Sequence, residues 1–283
     1  MALKREMPVK EYKLLALDID GTVLNSRSTL TPRTKAAILG AVQGGVRVVL
    51  ATGRRLTNTL PLANILGLTE LVVVHNGVVV YDPLAGQNIY QGGVDLALAQ
   101  EIVDKLDSVS MNYVVYTGQS AGERVVAPVG SWRAPEDLLT YYLGEKAQFV
   151  ERIKLDSSPI RISLIDRVAK VDRFMDELAQ NYDGGQIHHM LFGTERNIWR
   201  GIEIIPADCN KGTGLRFVAE RLGIEAREVV AIGDNINDLE MIRWAGLGIA
   251  MANGSELLKT KAKRIAPSND QDGVAQIIEE LLL

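Results

Sequence analysis

Leu14-Leu15-Ala16-Leu17-Asp18-Ile19-Asp20-Gly21-Thr22 decides how the chain is read. Four apolar residues in a row, broken by two acids and a glycine, describe a short buried strand running into a polar turn. Asp18 and Asp20 are two residues apart, so in extended backbone their side chains share a side. Two carboxylates held together are costly unless a cation or a proton separates them.

The pattern repeats on either side of that stretch. Thr31-Pro32 reads as an N-cap with proline in the first helical turn, opening a helix that Gly44-Gly45 stops. Val46-Arg47-Val48-Val49-Leu50-Ala51 is a second strand ending in Thr52-Gly53-Arg54, and a helix follows over residues 56–66. Leu71-Val72-Val73-Val74 is a third strand, and Asn76-Gly77 before Val78-Val79-Val80-Tyr81 is a hairpin signal. Strand, helix, strand, helix, strand is the order of a parallel sheet with crossover helices. It returns near the end: helix 211–222, strand 229–232, helix 237–244, strand 247–250 and a closing helix 273–283.

Between these halves the strands are more polar and the turns more frequent. Strands are expected at 113–117, 161–165 and 197–205, with helices at 135–143 and 168–180. The expected fold is α/β: a Rossmann-like parallel sheet core, residues 1–82 and 206–283, interrupted by an α+β domain at 83–205.

Composition narrows the function. With 31 basic against 35 acidic residues the net charge is −4, so no broad positive footprint exists for nucleic acid or an anionic membrane surface. No apolar run approaches the roughly 20 residues that span a bilayer. The single cysteine, Cys209, allows no intrachain disulfide. The expectation is a cytoplasmic protein, monomer or homodimer, with no nucleic-acid or membrane partner.

Open parallel sheets bind ligands beyond the carboxyl ends of their strands. Asp18 and Asp20 close the first strand and Thr52 the second; Asp234, Asn237 and Asp238 follow Ile232, and Lys211 opens a helix. Mg²⁺ takes few carboxylates together with phosphate and water, and Asp234 could complete such a set. A carboxylate is also a nucleophile in phosphoryl transfer, while a lysine and a hydroxyl offset the phosphoryl charge. Taken singly, each piece has a plain structural alternative. The Asp-Ile-Asp-Gly stretch could be a turn, Asp234 to Asp238 a helix cap, Thr52-Gly53 a strand end and Lys211 a solvated lysine. Their shared position at strand ends makes coincidence a poor account.

The chain resembles the haloacid dehalogenase-like hydrolase superfamily, in the Cof-type sugar-phosphatase branch with an inserted α/β cap. The resemblance runs through Leu17-Asp18-Ile19-Asp20-Gly21-Thr22, Ala51-Thr52-Gly53-Arg54, Asn76-Gly77, Asn210-Lys211-Gly212, Ile232-Gly233-Asp234-Asn235-Ile236-Asn237-Asp238 and Ser268-Asn269-Asp270-Gln271-Asp272-Gly273-Val274. It implies a Mg²⁺-dependent phosphatase that hydrolyses small phosphate monoesters, such as sugar phosphates, through an aspartyl-phosphate on Asp18. Asp20 would protonate the leaving oxygen and then activate water, its backbone carbonyl binding the metal. Thr52, with Gly53, and Lys211 would hold phosphoryl oxygens, and Asn237 would contact the phosphate or the nucleophile. Asp18 and Asp234 would ligate Mg²⁺, and Asp238 would support the metal site. The stretch between Gly77 and Lys211 would be the cap over the leaving group. A phosphomutase of the same architecture, or a silent binding protein, is the alternative.

Other residues invite a functional reading without carrying one. His75 reads as a turn residue, and His188 and His189, adjacent on a strand, point oppositely and make no metal pair. Cys209 reads as a small buried side chain. Arg54, Arg161 and Arg200 read as solvated, and Trp132, Trp199 and Trp244 as packing residues.

Overall fold

The computed structural model describes residues 12–119, 122–130, 142–144, 147–182, 187–192 and 199–283. Chain order begins with strand β1 (Leu14–Leu17), helix α1 (Pro32–Gln43), β2 (Arg47–Leu50), α2 (Leu56–Ile65) and β3 (Val72–Val74). Next come β4 (Val79–Asp82), β5 (Gln87–Gln91), α3 (Leu96–Ser108), β6 (Tyr113–Gln119), β7 (Gly122–Pro128) and β8 (Gln148–Val150). After them lie β9 (Arg161–Arg167), α4 (Val168–Asn181), β10 (Ile187–Phe192) and β11 (Trp199–Pro206). The chain closes with α5 (Lys211–Leu222), β12 (Val229–Gly233), α6 (Leu239–Trp244), β13 (Leu247–Met251), α7 (Glu256–Lys261), β14 (Arg264–Ala266) and α8 (Gly273–Leu281).

Two compact units divide the chain, with boundaries at Gly77/Val78 and Asn210/Lys211. The second unit so bounded, residues 78–210, extends beyond the expected 83–205 at both ends. β4 pairs antiparallel with β5, and β11 runs on to Pro206 inside the insert's own sheet.

In the first unit the sheet order is β14-β13-β12-β1-β2, every neighbour parallel, and a bridge from Ala51 to Val73 adds β3 beyond β2. All four β1 residues are closed off from water, as a strand covered on both faces requires. α1 follows from its sequence: Thr31 caps it by accepting from the Thr34 amide, Pro32 needs no partner there, and Ile38, Ala37 and Ala41 form its buried stripe. Burying Ile38 contributes about 1.5–3 kcal/mol. β1 is where strand order reverses, with β2 on one side and β12 on the other. This opens a crevice past the carboxyl ends of β1 and β12.

The second unit is a mixed sheet, order β10-β11-β9-β6-β7-β8, with α3 and α4 on one face. Ile102, Val103 and Leu106 of α3 and Val171, Phe174 and Leu178 of α4 meet Tyr113, Val115, Ile162, Leu164, Ile202 and Ile204 of the sheet. Val114, Tyr116 and Ile165 face the other way, against Tyr142 and Leu143. Arg161 shares that second face and is not solvated as expected. Its Nη1 donates to Glu203 Oε1 at 2.8 Å, and its guanidinium lies 4.3 Å from the centre of the Tyr116 ring. Arg200 pairs with Asp172. Most of the helix expected at 135–143 lies outside the described residues, as does Trp132. Among the described residues no helix is long and apolar enough to cross a membrane.

Candidate active site

Asp18 follows β1 and is anchored by its amide, which donates to the Ile232 carbonyl of β12 at 3.0 Å. Lys211, first residue of α5, points into the same crevice and is 1% exposed. Its Nζ donates to Asp18 Oδ1 and to Asp238 Oδ1, each at 2.6 Å. Asp238 is fully buried, and its other oxygen accepts from the amides of Asp234 and Asn235, both at 2.9 Å. That double acceptance closes the turn after β12 and aims Asp234 back at β1. There Asp234 Oδ1 accepts from Thr22 Oγ1 at 3.3 Å. Gly233 and Gly21 leave room for this, since a Cβ on either would fall on the carboxyl group of Asp238 or Asp234.

Asp18, Asp234 and Asp238 each offer an oxygen within 4.8 Å of the others. Burial pushes the Asp18 carboxyl well up; Lys211 opposes that shift, and Asp238 and Asp234 reinforce it. Asp234 is pushed up to about 6, first by burial and then by Asp238, with Lys211 pulling it down. For Lys211 burial acts downward, but Asp18 and Asp238 outweigh it and hold the ammonium above its ordinary value. Three carboxylates around one ammonium leave two negative charges unmatched when all are ionised. The donor set is all oxygen and hard, with a deficit of two charges, and it fits a divalent cation of the magnesium kind.

Thr52 sits at the end of β2, 1% exposed, its amide donating to the Val73 carbonyl at 2.9 Å. Its Oγ1 accepts from the Arg54 amide at 3.1 Å, which leaves the hydroxyl proton to donate elsewhere. Beside Gly53, Asn76 holds a left-handed turn at φ 57° and donates its amide to the Thr52 carbonyl at 3.0 Å. Asn237 Nδ2 donates to Asn76 Oδ1 at 2.9 Å, while Asn237 Oδ1 is buried and unpaired.

The structure thus brings together Asp18, Lys211, Asp234 and Asp238, with Thr22 alongside. Asp20 stands apart from the acid cluster. Its side chain is 55% exposed, and its two oxygens accept from Arg54 Nε at 2.6 Å and Nη2 at 2.5 Å. Arg54 is therefore paired, not solvated. Sequence reading missed this pair and the Asn76–Asn237 contact. An asparagine before glycine at a strand end was the signal for the second. Cys209 is buried, as expected, its Sγ 3.6 Å from the Tyr90 hydroxyl. His75 is a buried turn residue with φ 51°.

The strand-end acids and the buried lysine thus line a crevice at the switch point of a parallel sheet, where such sheets bind their ligands. The chain belongs to the haloacid dehalogenase-like hydrolases, whose family pattern it matches over residues 15–278. It is 29% identical to the phosphatase YwpJ of Bacillus subtilis over 95% of this chain and 100% of that one. It is 30% identical to the B. subtilis 5-amino-6-(5-phospho-D-ribitylamino)uracil phosphatase YwtE, over 95% and 98%. A haloacid dehalogenase-like hydrolase from Bacteroides thetaiotaomicron superposes with a TM-score of 0.79 at 27% identity, covering 95% of this chain and 98% of that one. The chain is a hydrolase of this superfamily and, with its relatives, a phosphatase.

Proposed function

We propose that the protein hydrolyses small phosphate monoesters, sugar phosphates or similar metabolites, through an aspartyl-phosphate on Asp18 and with Mg²⁺. The observation that carries this reading is the trio of Asp18, Asp234 and Asp238 gathered around the buried Lys211. Asp18, Asp234 and the backbone carbonyl of Asp20 would hold the cation, with Asp238 supporting the site through Lys211 and the turn that carries Asp234. Bound Mg²⁺ would match the two surplus negative charges and give the phosphoryl oxygens a positive partner.

The chain's own residues do the rest. An Asp18 oxygen forms a bond to phosphorus as the bond to the leaving oxygen breaks, and Asp20 gives that oxygen its proton. Water then attacks the phosphorus, Asp20 takes the water's proton, and the bond to Asp18 breaks to release inorganic phosphate. Lys211 has three donors and spends two on Asp18 and Asp238, so the third remains for a phosphoryl oxygen. The Thr52 hydroxyl and the region of Gly53 hold another, and Asn237 orients the group. The inserted unit serves as the cap that selects the leaving group, in a cytoplasmic monomer or homodimer.

Phosphate release from sugar phosphates, polyol phosphates, a ribityl phosphate and nucleotides tests this, with Mg²⁺ and with EDTA. Release that needs Mg²⁺ and falls at least ~10³-fold in Asp18→Asn is expected. Release that Asp18→Asn retains removes Asp18 as nucleophile; phosphate moved within the substrate without release marks a mutase.

A further inference from the structure

We propose that Arg54 is a positioning residue for Asp20, fixing where its carboxyl group stands before and during proton transfer to the leaving oxygen. The proposal rests on the acid–base role assigned to Asp20 above. Asp20 lies in the turn after β1, and more than half of its side chain is open to solvent. A short exposed side chain in such a place is spread over its rotamers, and a proton donor out of place is no donor. Arg54 removes that freedom, because Nε and Nη2 form a planar fork that meets both Asp20 oxygens at once.

The arginine is itself held. Its amide donates to Thr52 Oγ1, its carbonyl accepts from the His75 amide at 3.0 Å, and its Nη1 reaches the Asn58 carbonyl at 3.5 Å. Thr52 is the residue assigned to a phosphoryl oxygen, so one strand end fixes both the phosphate contact and the aim of the acid. An exposed ion pair adds little stability, so orientation is the reason to build this one. A lysine would supply the charge without the fork. In the reaction one of the two bonds opens to let an Asp20 oxygen carry the proton, and the other keeps the carboxyl group in place.

Leaving-group dependence tests the idea. p-Nitrophenyl phosphate loses a stable phenolate and needs no donated proton, whereas the best alkyl ester of the panel needs one. In Asp20→Asn the alkyl ester is expected to lose at least 100-fold more kcat/KM than the nitrophenyl ester, because kcat/KM reports transfer to Asp18 and not the hydrolysis of the aspartyl-phosphate that both esters share. Arg54→Met is expected to lose at least tenfold more kcat/KM on the alkyl ester than on the nitrophenyl ester, and Arg54→Lys to recover only part of it. In the Asp20→Asn background, Arg54→Met is expected to leave the ratio of the two esters where it is. Equal losses on both esters in Arg54→Met, or a ratio that still shifts in the double variant, would overturn the positioning role. If Asp20→Asn lowers kcat/KM of both esters alike, the proton-donor assignment fails first, and the Arg54 proposal with it.

Discussion

Lys211 Nζ lies 2.6 Å from Asp238 Oδ1, and neither side chain reaches water. Removing one partner of a buried ion pair leaves an uncompensated charge, at about 3–5 kcal/mol. Lys211→Met keeps length and loses the ammonium that faces both Asp18 and Asp238. It is expected to cost about 3 kcal/mol in urea denaturation of the metal-free protein and to abolish turnover. Millimolar Mg²⁺ should restore more stability to this variant than to the wild type, because the unmatched charge is larger.

Asp234 and Asp18 make the metal-free protein pH-sensitive in a definite direction. A carboxyl group whose folded pKa exceeds its unfolded value binds a proton on folding. Its stabilising effect is complete below the unfolded value near 4 and disappears as pH rises through the folded value. For Asp234 that folded value is about 6, burial being the main cause and Asp238 the next. In EDTA, the protein is expected to lose about 2 kcal/mol on this account between pH 4.5 and 7. The pH slope of urea denaturation should flatten in Asp234→Asn. A wild-type slope equal to that of the variant would contradict the assignment. Divalent-cation affinity should weaken as pH falls through 6, since protons compete for the same oxygens.

Gly21 has φ +80°, and a Cβ there would fall on the Asp234 carboxylate. Gly45 has a similar φ of +85° with nothing within 4 Å, so it isolates the backbone cost. Alanine at either position should cost about 1–3 kcal/mol for the left-handed backbone. Only Gly21→Ala should also raise the Mg²⁺ concentration for half-maximal rate, by about tenfold. Metal titrations of the two variants separate strain from site damage.

Glu203 and Arg161 set a test inside the insert. Both are largely buried, 2.8 Å apart. Glu203→Leu alone should destabilise by about 3 kcal/mol, and adding Arg161→Met should recover most of that, because the pair is costly to halve rather than to omit. Thermal melts of the single and double variants decide it.

Much of the site was legible because strand ends are legible. The apolar run through Leu17 stops at Asp18 and the run through Ile232 at Gly233-Asp234, and a parallel sheet aligns those stops. Lys211 could be placed in the crevice by its start of a helix. What it would touch there could not be read. Its contact with Asp238 depends on how the turn after Gly233 folds, and that turn is closed by two amides onto one oxygen. Asp20 and Arg54 were less legible still. A side chain on an exposed turn has no periodic pattern to betray its partner, and Arg54 is 34 positions away. In the insert, Arg161 sits on a sheet face where alternation calls for an apolar residue. Only the structure shows Glu203 beside it.

β1 has consequences for how the chain is made. Leu14 is in register with Arg47 on one side and with Val229 on the other. The first neighbour is synthesised almost at once; the second emerges only after the whole insert. Until then one edge of an entirely apolar strand has no partner, the condition under which nascent strands pair wrongly. The same delay postpones chemistry, because Lys211, Asp234 and Asp238 all lie beyond the insert. A ribosome-bound chain carries Asp18 from the start and gains the residues gathered around it last.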